Sequence, residues 1–203
     1  MIDYGPILAP DETYHIYNRA NGNEKIFLSS ENYRFFLEKF KLYIQPIADT
    51  YCYCLLPNHF HFLIRIKSAD EIQKIFPDFD NSESSRLILS KQFSNLFSSY
   101  TQAFNKQQNR KGSLFMKNFK RKKITDIKYL RKVVHYIHFN PVEAGLSKKP
   151  IDWKHSSYKS IISTAPTLLL RDELFYLFND KENFEYVHLT AANSTEKDAV
   201  SFL

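Results

Sequence analysis

No apolar run in this chain approaches the length needed to cross a bilayer. The opening residues MIDYGPILAPDETYH also lack the basic and apolar regions of a secretory signal. The expectation is a cytoplasmic protein. Cysteine is scarce: Cys52 and Cys54 are the only two, on one face of one strand. That spacing suits a disulfide poorly, and two thiols by themselves are too few for a zinc site. They read as reduced core thiols. Internal repeats and low-complexity tracts are absent. Acidic residues are missing from one stretch in particular, Asn105 to Thr125.

That stretch holds Lys106, Arg110, Lys111, Lys117, Lys120, Arg121, Lys122 and Lys123, with Leu114, Phe115 and Phe119 among them. Cations that neutralise phosphates, beside aromatics on which bases stack, describe a nucleic-acid surface. The same pattern fits a solvated basic loop whose aromatics are core. The net charge of +6 and pI near 9.1 point to a polyanionic partner, although ordinary cytosolic proteins also reach such values. A hydrophobic fraction of 43%, with 13 Tyr and 18 Phe, excludes a disordered chain. At 203 residues the chain accommodates one main domain, expected over residues 1–165, and an appendage over 166–203.

Thr13 to Asn18, TYHIYN, reads as a first strand, followed by the Gly-containing turn RANGNEK. Ser29 or Ser30 can cap a helix carrying Phe35, Phe36, Phe40 and Tyr43, which Pro46 stops. Thr50–Leu56, the pair Pro57-Asn58 and a strand to Ile66 form a hairpin. A short helix and loop follow from Ser68, then a longer helix from about Ser84 to Lys106, then a strand within LFMKNFKRKKIT. Asp126 caps an amphipathic helix to about Asn140, with Pro141 setting its end. The order β, α, β, β, α, β, α predicts an α+β fold: a ferredoxin-like antiparallel sheet with helices packed on one face. One or two small helices after Pro166 and a frayed tail complete the chain.

In the strand HFHFLIRI, alternation puts Phe60, Phe62, Ile64 and Ile66 on one face and His59, His61, Leu63 and Arg65 on the other. Two imidazoles side by side suit a cation or a phosphate. They equally suit two satisfied or solvated strand histidines. In HYIHFNP, Tyr136 and Asn140 lie four apart on one helix face. The phenol offers a nucleophile and the amide oxygen a ligand for a hard cation. A core tyrosine and an asparagine at a helix end would give the same spacing. His135 and His138 point elsewhere around the helix, and His138 stands as a reserve ligand.

LLPNHFHFLIR and YIHFNPVEAGL, in that order, resemble the two signature motifs of the single-tyrosine HUH transposases, especially the REP-associated tyrosine transposase branch. YHIYNRANGNEKIF, SSYTQAFNKQQNRKGSLF and DWKHSSY are also similar to that branch, so the likeness covers most of the chain. The resemblance implies an HUH endonuclease fold over 1–165. It implies His59 and His61 as the metal-binding pair, Tyr136 as the nucleophile and Asn140 as the third ligand. Asn58 receives no catalytic role. Glu143 stands where many relatives carry Arg or Lys, which touches a DNA contact and not the chemistry.

The expected activity is metal-dependent cleavage and rejoining of single-stranded DNA, the chemistry of DNA transposition and recombination. A 5′-phosphotyrosine intermediate on Tyr136 stores the bond energy. A divalent cation, Mg²⁺ or Mn²⁺, would neutralise the scissile phosphate. The expected partner is hairpin-containing single-stranded DNA of REP-element type, held by Arg19 and the basic residues from Lys106 to Lys123. The chain is expected to act as a monomer rather than a homodimer, in the nucleoid-associated cytoplasm. Two other readings remain: a non-catalytic single-strand-binding regulator adopted from a transposase, and a nuclease in which water attacks.

Overall fold

The computed structural model describes residues 5–22, 24–80, 82–83 and 85–189. Strand β1 spans Thr13–Arg19, with Tyr14 and Ile16 buried in an apolar cluster on one side and His15 and Tyr17 on the other. Helix α1 covers Ser30–Tyr43 behind Ser29, whose backbone N–H donates to the Asn32 side chain. It ends before Pro46, as predicted. Strands β2, Ala48–Leu56, and β3, His59–Ile66, are joined by the two-residue turn Pro57-Asn58. Strand β2 begins two residues earlier than the sequence indicates, because Ala48 already pairs with Ile66. The carbonyl of Pro57 accepts from Ile26 and Phe27, and that of Asn58 from Ala20, so the turn is pinned by the segment after β1.

The short helix α2, Ala69–Gln73, is capped by Ser68. Helix α3 runs Leu87–Gln107; the expected start at Ser84 lies outside the described residues. Strand β4, Lys120–Lys123, closes a four-stranded antiparallel sheet of order β2-β3-β1-β4. With α1 and α3 as its crossovers, this is the βαββαβ arrangement anticipated from the element order.

Helix α4 spans Ile127–Glu143, capped by Asp126, whose Oδ1 accepts from the Tyr129 N–H at 2.7 Å. It passes through Pro141 instead of stopping there. Proline forfeits only one hydrogen bond so near a helix end, and the actual stop is Gly145, at φ 68°. Leu146 N–H donates to the Pro141 carbonyl and Gly145 N–H to that of Val142, the pairing of a left-handed glycine cap.

Helices cover both faces of the sheet, which corrects the expectation of one. Helices α1 and α3 pack on the face of Phe60, Phe62, Ile64 and Ile66. The second face also carries apolar side chains, Cys52, Cys54, Leu56 and Leu63, and burying them requires a cover. Helix α4 supplies it, with α5 (Tyr158–Ile162), α6 (Arg171–Leu177) and α7 (Lys181–Leu189). Leu174, Leu177, Phe178 and Phe184 enter the same cluster as Cys52 and Leu63. Arg65 on β3 forms a two-point ion pair with Glu173 on α6, at 2.8 and 3.0 Å. Cys52 and Cys54 are buried free thiols. The tail expected to fray, beyond residue 189, lies outside the described residues. Among the described residues no helix is long and apolar enough to cross a membrane.

Candidate active site

The hairpin brings His59 and His61 to the sheet face on which α4 lies, and the helical repeat aligns Tyr136 with Asn140 over them. Nε2 of His59 is 3.2 Å from Oδ1 of Asn140. The rings of His61 and Tyr136 meet edge to face with centroids 5.3 Å apart, and those of His59 and His61 at 5.1 Å. Asn140 also hydrogen-bonds the Tyr136 phenol. The four residues singled out from two segments of sequence therefore converge.

Burial holds the imidazoles neutral. His59 titrates below its ordinary value because of desolvation, reinforced by the Arg19 charge and partly offset by Asn140. His61, fully buried, is driven well below it by desolvation and by its neighbours His15 and His59. A neutral imidazole carries one hydrogen. In His59, Nδ1 lies 2.8 Å from Oδ1 of Asn58 and Nε2 3.2 Å from Oδ1 of Asn140; a hydrogen on Nδ1, the closer contact, leaves the Nε2 lone pair on the side of the Asn140 oxygen. Nε2 of His61 is buried and has no hydrogen-bond partner among the described residues.

An orphaned imidazole nitrogen, and two acceptor atoms held at a spacing near the roughly 3 Å between adjacent ligands of a small octahedral cation, fit a divalent ion. Among the described residues no three His, Cys, Asp or Glu side chains gather as a metal site. The donor set on offer is therefore two imidazoles and one amide oxygen. That leaves positions for phosphate and water. Burial pushes the Tyr136 phenol up to about 12, with Asn140 lowering it and Glu143 raising it. At pH 7 such a phenol is ionised in about one molecule in 100,000.

The sheet register sorts the basic residues. Arg19 sits opposite His59, Lys120 opposite Tyr17 and Lys122 opposite His15, so these three share the histidine face. Arg121 and Lys123 stand opposite Ile16 and Tyr14 on the other face, where Arg121 donates to the Pro6 carbonyl and Lys123 pairs with Glu12 at 2.8 Å. Arg110 is bound to Glu24 and Asn105, both at 2.6 Å. Lys106 lies in the last turn of α3, and Lys111 and Lys117 lie in the loop between α3 and β4.

The reserve ligand His138 is not at the site. It is fully buried on the far side of α4, with Nδ1 3.0 Å from Nε2 of His188 and Nε2 2.9 Å from Oγ of Ser157. Sequence reading passed over His15, whose Nε2 lies 2.9 Å from Nδ1 of His61, and Tyr17, which stands opposite His61. The signal was present in TYHIYN. Alternation places His15 and Tyr17 together on the face opposite Tyr14 and Ile16, and a buried histidine there needs a polar partner.

The four-stranded antiparallel sheet of order β2-β3-β1-β4, packed with helices, is the HUH fold. A solved REP-associated tyrosine transposase, bound to a REP hairpin, shares it: the match covers 82% of this chain and 89% of that one, with a TM-score of 0.60 at 19% identity. A Haemophilus influenzae protein that carries the provisional name REP-associated tyrosine transposase is 30% identical over 112 residues, 54% of this chain. The match spans 58% of that relative's length. No protein-family model matches the chain. The chain thus resembles the REP-associated tyrosine transposases in sequence, as its two motifs indicate, and shares their fold.

Proposed function

We propose that this protein is a DNA strand transferase of the transposition and recombination kind. It cuts hairpin-containing single-stranded DNA of REP type and rejoins it through a 5′-phosphotyrosine link on Tyr136. It works in the cytoplasm beside the nucleoid. The convergence of Tyr136 and Asn140 on the His59–His61 pair carries the reading. All four side chains come from one chain, which supports action as a monomer.

His59, His61 and Asn140 would hold Mg²⁺ or Mn²⁺, which when bound supplies charge neutralisation at the scissile phosphate. Arg19, Lys120 and Lys122 hold the flanking phosphates on the same sheet face. The Tyr136 oxygen attacks phosphorus in line. The Tyr136 O–P bond forms as the bond from phosphorus to the 3′-oxygen breaks; the phenol loses a proton and the departing oxygen gains one. Because the phosphodiester energy stays in the phosphotyrosine, a 3′-hydroxyl of another strand reverses the step without ATP. The Asn140 amide, with its oxygen 3.2 Å from Nε2 of His59 and a hydrogen bond to the phenol, ties the cation site to the nucleophile.

The test is a denaturing gel of labelled hairpin-containing single strands from the DNA flanking the gene, incubated with the full chain and Mg²⁺ or Mn²⁺. A covalent adduct in the wild type that maps to Tyr136 and is absent in Tyr136→Phe and His59→Ala is expected. Metal-dependent cleavage without an adduct would establish water as the nucleophile. Binding without cleavage would establish a regulator.

A further inference from the structure

Each candidate ligand histidine has a partner on its Nδ1. For His59 it is the adjacent Asn58. For His61 it comes from another strand. The register sets Tyr17 directly opposite His61 and His15 opposite Leu63, so His15 is the diagonal neighbour of His61 on the same face. The two rings are inclined by 28° with Nε2 of His15 2.9 Å from Nδ1 of His61, and both residues are fully buried.

Two neutral imidazoles in this contact share one hydrogen, which leaves two arrangements. If His15 donates, the hydrogen of His61 sits on Nε2 and no lone pair remains there for a cation. If His61 donates from Nδ1, its buried Nε2 carries the lone pair. Only the second arrangement makes His61 a ligand.

We propose that His15 is a positioning residue that accepts the Nδ1 hydrogen of His61 and thereby holds Nε2 as the metal-ligating atom. This rests on the cation site argued above. His15 is not itself a ligand through Nε2, because that atom is engaged by His61. The arrangement also fixes the plane of the His61 ring against Tyr136. Loss of such a partner lowers metal affinity by about 10- to 100-fold.

The experiment uses the full chain with two substitutions. His15→Phe keeps a ring and removes the acceptor; His15→Gln places an amide oxygen near the position of Nε2. Long-range nitrogen–proton NMR spectra of the metal-free wild type are expected to show His61 protonated on Nδ1. Titration with Mn²⁺ is expected to show an affinity at least tenfold lower in His15→Phe and largely restored in His15→Gln, with melting temperatures recorded alongside. His61 protonated on Nε2 in the wild type would overturn the proposal. So would wild-type Mn²⁺ affinity in His15→Phe, or equal loss in both variants. A wild type that binds no Mn²⁺ would overturn the cation site, while the tautomer spectrum would still decide whether His15 orients His61. If His15→Phe fails to fold, the wild-type spectrum and His15→Gln decide.

Discussion

Acidification from pH 7.5 to 5 is expected to unfold this protein through its buried histidines. Burial pushes His15 and His188 down to about 3, and drives His61 and His138 well below their ordinary value. The folded state thus keeps these rings neutral, while the unfolded chain takes up protons from about pH 6.5 downward. The unfolded state binds more protons throughout that window, so stability is full above pH 6.5 and falls as the pH drops toward the folded values. For a shift from 6.5 to about 3, the loss at pH 5 is about 2 kcal/mol per group. His15 and His188 alone therefore remove about 4 kcal/mol, and His61 and His138 add to it. Against a typical total of about 5–15 kcal/mol this is decisive. Ordinary carboxylates protonate mostly below this window, so the histidines are read in isolation. Urea midpoints measured at half-unit intervals from pH 7.5 to 5 should fall steadily. The double variant His138→Leu/His188→Leu removes two of the groups together with their mutual hydrogen bond, and should show a shallower fall. A wild-type midpoint unchanged between pH 7 and 5 would refute the reasoning, since it would mean that these rings titrate alike in both states.

The remaining expectations concern the site. Replacing Lys120 and Lys122 together by alanine should reduce the dependence of single-strand affinity on salt by about 1.4 in logarithmic slope, at about 0.7 per phosphate contact. Lys123→Ala, on the opposite face and paired with Glu12, should leave that slope unchanged; equal effects would remove the sheet face as the binding surface. Tyr136→Phe should cost about 1 kcal/mol of stability, the net worth of one hydrogen bond, seen as a melting shift of about 2–4 °C. With the phenol pushed up to about 12, the single-turnover cleavage rate should rise about tenfold per pH unit from 7 to 9, and a flat profile would point to a protein base already holding the proton.

The strands, and the placing of His59 with His61 and of Tyr136 with Asn140 on common faces, were legible because each rests on a local period, two residues on a strand and 3.6 on a helix, whereas the meeting of the two pairs was implied only by the resemblance of the two motifs. What the sequence hid was non-local. The second helical layer was invisible because His59, His61 and Arg65 made the face of β3 look solvated, whereas Cys52, Cys54 and Leu56 from β2 complete an apolar surface there. The stop at Gly145 lost out to Pro141, since a proline announces itself and a left-handed cap is recognised only from its two closing hydrogen bonds. His15 is 46 residues from His61, and no spacing rule connects them. The basic segment read as one surface, but only the pairing register divides Lys120 and Lys122 from Arg121 and Lys123.

Helix α4 joins these observations, because its two sides carry different histidine contacts. Tyr136 and Asn140 face the sheet histidines, while His138, two residues from each, is rotated by about 200° from either at 100° per residue. On that far side a buried hydrogen-bonded chain runs through Oγ of Ser157, which accepts from the Tyr53 N–H and also lies 3.1 Å from the Tyr53 carbonyl, to Nε2 of His138, and from Nδ1 of His138 to Nε2 of His188. His188 Nδ1 donates to the Phe184 carbonyl. The Phe184 carbonyl can only accept, so its contact with Nδ1 of His188 places a hydrogen on that nitrogen. The chain links β2, α4 and α7. Rotation of α4 about its axis would break buried hydrogen bonds on one side as it moved the Asn140 oxygen from His59 on the other. Since an error of about 1 Å at a reacting group can cost about 100-fold in rate, fastening the helix on the side away from the chemistry supplies the precision that in-line attack requires.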